Sequence, residues 1–156
     1  MNEIIQPIDL SLRFDGHRVT FDGSASFGGG GVTAKGSADW KEKAITHYDG
    51  EVHMHTPSID SAYYKGAVDA DLSLGEFMDQ LGVTGKISIH NATCEVPLAL
   101  LAESGESSAN FLTKIDIAIG DNARLYSSSL YDLMIKGNIS MMGHFREPIM
   151  TGRVNV

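Results

Sequence analysis

Leu133-Met134-Ile135-Lys136-Gly137-Asn138-Ile139-Ser140-Met141 places an apolar residue or a glycine at every odd position and, Met134 apart, a polar residue at every even one. Side chains of a strand alternate between faces with a period of two, so this stretch is a strand with one apolar and one polar face. Its core motif, a glycine followed at the second and fourth positions by apolar residues, recurs. Gly85-Lys86-Ile87-Ser88-Ile89 and Gly152-Arg153-Val154-Asn155-Val156 are close copies, and weaker ones begin at Gly23, Gly36, Gly50 and Gly66. Copies in the first half start roughly 13 to 19 residues apart, about one strand plus its turn. The repeat predicts an all-β chain: one long, curved antiparallel sheet with a single apolar surface.

The punctuation between copies fits a meander. Ile8, Leu10, Leu12 and Phe14 alternate up to Asp15-Gly16-His17-Arg18, a hairpin signal, after which Val19 and Phe21 open a second strand. The Gly28 to Gly31 tract reads as a flexible turn: neither a GK[ST] signature nor a helical pattern follows, as a phosphate-binding loop would require. Leu74 to Leu81 is expected to hold a short helical turn over a sheet end, with Phe77, Met78 and Leu81 as its contacts. Asp121-Asn122 is expected to turn the chain, and Gly143 to Pro148 to form the next turn. Glu103 to Asn110, polar and small, is expected to be a disordered loop.

Composition narrows the function classes. The 156 residues suit one domain, and 42% apolar residues with a mean hydropathy of −0.07 suit a folded, non-membrane-spanning chain. The longest apolar run, Val96 to Ala102, is far shorter than the roughly 20 residues that cross a bilayer. Met1 to Ile5 carries neither the basic region nor the apolar stretch of an export signal. Twelve basic against twenty acidic residues give a net charge of −8, which disfavours nucleic acid and anionic membrane surfaces as partners. A single cysteine, Cys94, excludes an internal disulfide and a cysteine-based zinc cage, and reads as a small packed side chain.

Two constellations resemble chemistry. Tyr48, Gly50, Val52 and Met54 share one face, leaving His47, Asp49, Glu51, His53 and His55 on the other. Histidines at i and i+2 on a strand can ligate one metal, but no third converging ligand is visible, so His53 and His55 are expected on a solvated, convex face. Asp69 and Asp71 alternate with Val68, Ala70 and Leu72 and are likewise expected to point to solvent; acid–base work needs a pocket that perturbs one carboxyl. No catalytic residue, metal or cofactor is expected.

The second half carries more than periodicity. Ile115-Asp116-Ile117-Ala118-Ile119-Gly120-Asp121-Asn122-Ala123-Arg124-Leu125-Tyr126, then Leu133 to Gly143, then Glu147-Pro148-Ile149-Met150-Thr151-Gly152-Arg153-Val154, resembles in order and linkage the C-terminal region of the TamB family of AsmA-like bridge proteins. Val83 to Ala92, running on to Val96-Pro97, is similar to that family's preceding unit, so the resemblance covers residues 66 to 156. It implies a β-taco, an open apolar trough in the periplasm, as an internal slice of a larger inner-membrane-anchored protein. It implies passage of phospholipid acyl chains between the inner and outer membranes. The alternative it implies is a chaperone-like role in outer-membrane protein or autotransporter assembly beside a BamA-like barrel.

On this reading Val68, Ala70, Leu72, Ile87, Ile89, Ile115, Ile117, Ile119, Leu133, Ile135, Ile139, Met141 and Val154 line the groove. The partners are phospholipid or other apolar chains, with edge-paired self-association where strand edges are free. A closed β-sandwich with the same stripe buried as ordinary core is the competing architecture.

Overall fold

Among the described residues, alternation of side chains is realised as nine strands in a single sheet. The computed structural model describes residues 8–27, 29–41, 44–61, 63–95, 111–127, 131–145 and 147–156. Among them run β1 (Ile8–Asp15), β2 (Arg18–Phe27), β3 (Gly30–Lys41), β4 (Ala44–Asp60), β5 (Tyr64–Phe77), β6 (Gln80–Glu95), β7 (Leu112–Ser127), β8 (Tyr131–His144) and β9 (Glu147–Asn155). Their order across the sheet is their order in sequence. Since all nine belong to this one sheet, no second layer of described strands covers either face. The sheet is open rather than closed into a barrel: β1 pairs with β2 alone and β9 with β8 alone among the described residues.

Register turns the sequence repeat into continuous rows. One row runs Ile8, Ala25, Val32, Met54, Ala70, Ile87, Ile117, Ile139, Gly152, and the next runs Leu10, Gly23, Ala34, Val52, Leu72, Gly85, Ile115, Met141, Met150. Between them, on the opposite face, lies Asp9, Ser24, Thr33, His53, Asp71, Lys86, Asp116, Ser140, Thr151. We call the apolar side the inner face and the other the outer face.

The junctions follow the expected meander with one exception. β6 and β7 are parallel, whereas every other junction is antiparallel. Two-residue turns can only reverse a chain, while a parallel neighbour needs a crossover of a dozen or more residues. The connection 96–111 is the one long enough, and both the Val96–Ala102 run and the loop expected over Glu103–Asn110 fall there, outside the described residues.

Local expectations fare unevenly. Gly16 turns β1 into β2 with φ 55°, and Gly29 turns β2 into β3 with φ 76°, as their sequences predict. Pro148 sits in β9, an edge strand, where its missing N–H is tolerated. The helical turn over Leu74–Leu81 does not form. β5 continues through Phe77, Met78 and Asp79 reverse the chain with φ of 53° and 58°, and Leu81 already belongs to β6. The apolar spacing there arises from two strands meeting at a turn. Asp121-Asn122 does not reverse the chain either. It lies within β7, where Ile119 pairs with Gly137 and Ala123 with Ile135, so β7 carries two extra residues in a bulge.

That bulge belongs to a line of irregularities across four successive junctions, between Thr56 and Ile59, Lys65 and Ala67, Ile89 and Thr93, and Ile119 and Ala123. Bulges bend a sheet and strengthen its twist. Gly66, Asn91 and Asn122 supply positive φ along this line (148°, 48° and 59°), and Asn122 Nδ2 donates to Asn91 Oδ1 at 3.0 Å across the parallel junction. Gly85, at φ 151°, shows why glycine heads the repeat: a Cβ there would lie 2.1 Å from the Asp71 carbonyl oxygen. Only a residue without a side chain lets neighbouring backbones approach so closely. The result is a curved sheet with a shallow core at its middle. Ala70 is 5% exposed, Ile115 7% and Thr113 0%, all on the inner face; Thr113 Oγ1 donates to the Gly143 carbonyl at 2.9 Å, so its polar group is satisfied.

Candidate functional site

The inner face gathers the sequence-predicted groove residues. Val68, Ile89, Ile119, Gly137 and Val154 form one cross-strand row; Ala70, Ile87, Ile117 and Ile139 belong to the next, and Leu72, Ile115 and Met141 to the one beyond. Past the bulge line, Leu133 pairs with Leu125 and Ile135 with Ala123, which keeps both on the same side as Ile139. In β8, residues 133, 135, 137, 139 and 141 are half-buried, while 132, 134, 136 and 138 are exposed. All thirteen predicted residues thus share one face. They differ in cover: Ala70 and Ile115 are buried, whereas Val154 near the edge is exposed. The face continues beyond them to Ile8, Leu10, Leu12 and Phe14 on β1 and Met150 on β9, all exposed.

The outer face is a ladder of opposite charges and polar pairs. Arg18 grips Asp39 with two bonds of 2.6 Å, Lys35 meets Glu51 at 3.0 Å, Lys136 meets Asp121 at 2.5 Å, and Arg124 is paired with Asp132. Register also joins the two constellations that the sequence left apart. His53 Nδ1 lies 2.7 Å from Asp71 Oδ1 and His55 pairs with Asp69, because β4 and β5 run antiparallel and place these residues directly opposite one another. Asp69 and Asp71 are therefore on the polar face as expected, but each is engaged by a histidine. The hydrogen bond to Asp71 raises the His53 pKa above its ordinary value; partial desolvation opposes this, and the charges of Asp71 and Glu51 add to it.

Among the described residues no three His, Cys, Asp or Glu converge as a metal cluster. Cys94 is half-buried opposite Tyr64, and burial pushes its thiol pKa up, away from the thiolate that a nucleophile needs. A groove of about 770 Å³ lies between two rows of outer-face side chains, Arg13, Thr20, Ser37 and Asp49 on one bank and Ser11, Asp22, Lys35, Glu51 and Ser73 on the other. Its cations and anions are mutually paired or interspersed, and it is wide open. No described helix is long and apolar enough to cross a membrane.

Sequence reasoning missed the His–Asp register and the Asn91–Asn122 clasp. The matching Asn-Ala pairs, Asn91-Ala92 and Asn122-Ala123, each following an Ile-x-Ile unit, were the available signal for two similar strands lying side by side in parallel. Protein-family models, characterised proteins and solved structures give no match to this chain.

Proposed function

We propose that the chain binds apolar chains, foremost phospholipid acyl chains, along its inner face, as a non-catalytic segment of a TamB-like periplasmic bridge between inner and outer membranes. The observation that carries this reading is the pair of unbroken apolar rows crossing nine strands with no described second layer over them. Fully burying a side chain of Ile or Leu size is worth roughly 1.5 to 3 kcal/mol, so a half-covered row leaves stabilisation for a ligand. An acyl chain of about 16 carbons, at ~0.8 kcal/mol per methylene, recovers on the order of 10 kcal/mol before ordering costs. Neighbouring rows of similar side chains make one position along the face nearly equivalent in energy to the next, which favours sliding over tight capture.

The test compares the two faces. Ile87→Asp and Ile139→Asp put a carboxylate on the inner face, where desolvation beneath an acyl chain costs several kcal/mol. The outer control is Asn138→Asp, which faces Arg153 across β8–β9. Ser140 is unsuitable because it donates to Asp116, and Ser88 because it lies opposite Asp69. Lipid extracted with the purified chain, or bound on addition of phospholipid and counted by native mass spectrometry, should fall at least tenfold for the inner variants and stay unchanged for the control. Equal loss from both faces, or no bound lipid in the parent chain, rejects the reading. Assembly of an outer-membrane barrel lost with lipid binding intact would favour the chaperone alternative.

A further inference from the structure

β1 lacks several of the usual protections of an edge strand, and its charges, Asp9, Arg13 and Asp15, all lie on the outer face. It has no proline, bulge or inward-pointing charge, and its inner side chains Ile8, Leu10, Leu12 and Phe14 are 53–69% exposed. β9, by comparison, contains Pro148. The two-residue turn at Gly16–His17 makes Asp15 and Arg18 the first mutually bonded pair, so the odd residues of β1 bond to β2. Ile8, Leu10, Leu12 and Phe14 consequently turn their N–H and C=O groups to the edge that no described strand pairs with.

The sequence of this edge is complementary to itself. Ile8-Asp9-Leu10-Ser11-Leu12-Arg13-Phe14 reads the same in character from either end about Ser11, with Asp9 and Arg13 at mirrored positions. We propose that β1 is a homodimer interface, pairing antiparallel with β1 of a second copy on a two-fold axis through Ser11. In that register Asp9 of each copy lies opposite Arg13 of the other, Leu10 opposite Leu12, Ile8 opposite Phe14, and Ser11 opposite its twin.

Neighbouring registers do worse. Pairing Asp9 with Asp15 sets like charges face to face, and centring on Leu10 leaves Arg13 beyond the paired stretch. A shift by a single residue sets apolar against polar side chains across the pleat. The two-fold axis stands perpendicular to the sheet, so both copies keep their apolar faces on the same side and the rows continue across the junction. A closed two-fold pairing also ends growth there, which head-to-tail pairing of β1 with β9 does not.

The test uses the whole 156-residue chain with Cys94→Ser, so that an introduced cysteine is the only one. Ser11→Cys sits on the axis in a pair without mutual hydrogen bonds, where opposed side chains come closest, and should form a disulfide dimer under mild oxidation. Ser24→Cys, on the outer face of β2, should remain reduced. Asp9→Arg alone and Arg13→Asp alone should each weaken dimerisation by roughly tenfold in sedimentation velocity, since each replaces two opposite-charge contacts by two like-charge ones. An equimolar mixture of the two variants should restore it as a heterodimer, with circular dichroism reporting an unchanged fold. A monomer at the highest attainable concentration overturns the proposal. So do polymers lacking the Ser11→Cys crosslink, or charge variants that associate like the parent.

Discussion

His53 and Asp71 meet because two antiparallel strands place them opposite one another, and the consequence is a titration that can be followed. The hydrogen bond to Asp71 favours the protonated ring, so the folded-state pKa lies above the ordinary 6.5. A group raised on folding stabilises the fold fully below its unfolded pKa, and that contribution disappears as pH rises through the folded value. The β4–β5 junction should therefore be tighter below about pH 6.5 and loosen slightly above the raised value. Proton NMR titration should place the His53 ring above 6.5, and Asp71→Asn should bring it back down. An imidazole at or below 6.5 in the parent chain would show that the pair is not formed in solution.

The β5–β6 turn is the element where local sequence and fold agree least. A two-residue turn of the kind with positive φ at both central residues is met at little steric cost by Asn-Gly. Here Met78 and Asp79 hold φ of 53° and 58°, a conformation that costs a side-chain-bearing residue roughly 1 kcal/mol or more. Met78 is also exposed and contributes little packing. Met78→Asn combined with Asp79→Gly should stabilise the chain by about 1 kcal/mol in urea unfolding without altering the slope. A neutral or destabilising result would mean that the turn is held by something other than its own dihedrals. The asparagine pair of the bulge line is the converse case. Asn91 and Asn122 are suited to positive φ, and their mutual hydrogen bond uses the side chains that make them so.

At the scale of the whole molecule, cover is concentrated in the middle. Among the described residues Ala67, Ala70, Ala92, Leu112, Thr113, Ile115 and Ala123 are the buried side chains, all from β5, β6 and β7, while β1 is exposed along its length. Local opening is easiest where few apolar contacts resist it. Amide exchange at low protein concentration should be slowest in β5–β7 and fall away in both directions, with β1 and β9 faster by at least about a hundredfold. Uniform protection across the nine strands would indicate that the inner face is covered by a layer absent from the described residues.

The sequence by itself determined the all-β character, the alternation of faces along most strands, the turns at Gly16 and within Gly28 to Gly31, and the single-surface character that makes an apolar ligand the leading expectation. These are properties of period two and of glycine's backbone freedom, both local, so a window of a few residues contains them. Only the tertiary structure decided the parallel pairing of β6 with β7, the continuation of β7 through Asp121-Asn122, the reversal at Met78-Asp79, and the meeting of His53 with Asp71 and His55 with Asp69. Each of these depends on register between strands, and register is fixed by cross-strand pairing summed over a whole junction. Two strands of identical alternation can be paired in either direction and still bury the same face, so alternation alone leaves neighbours and direction open.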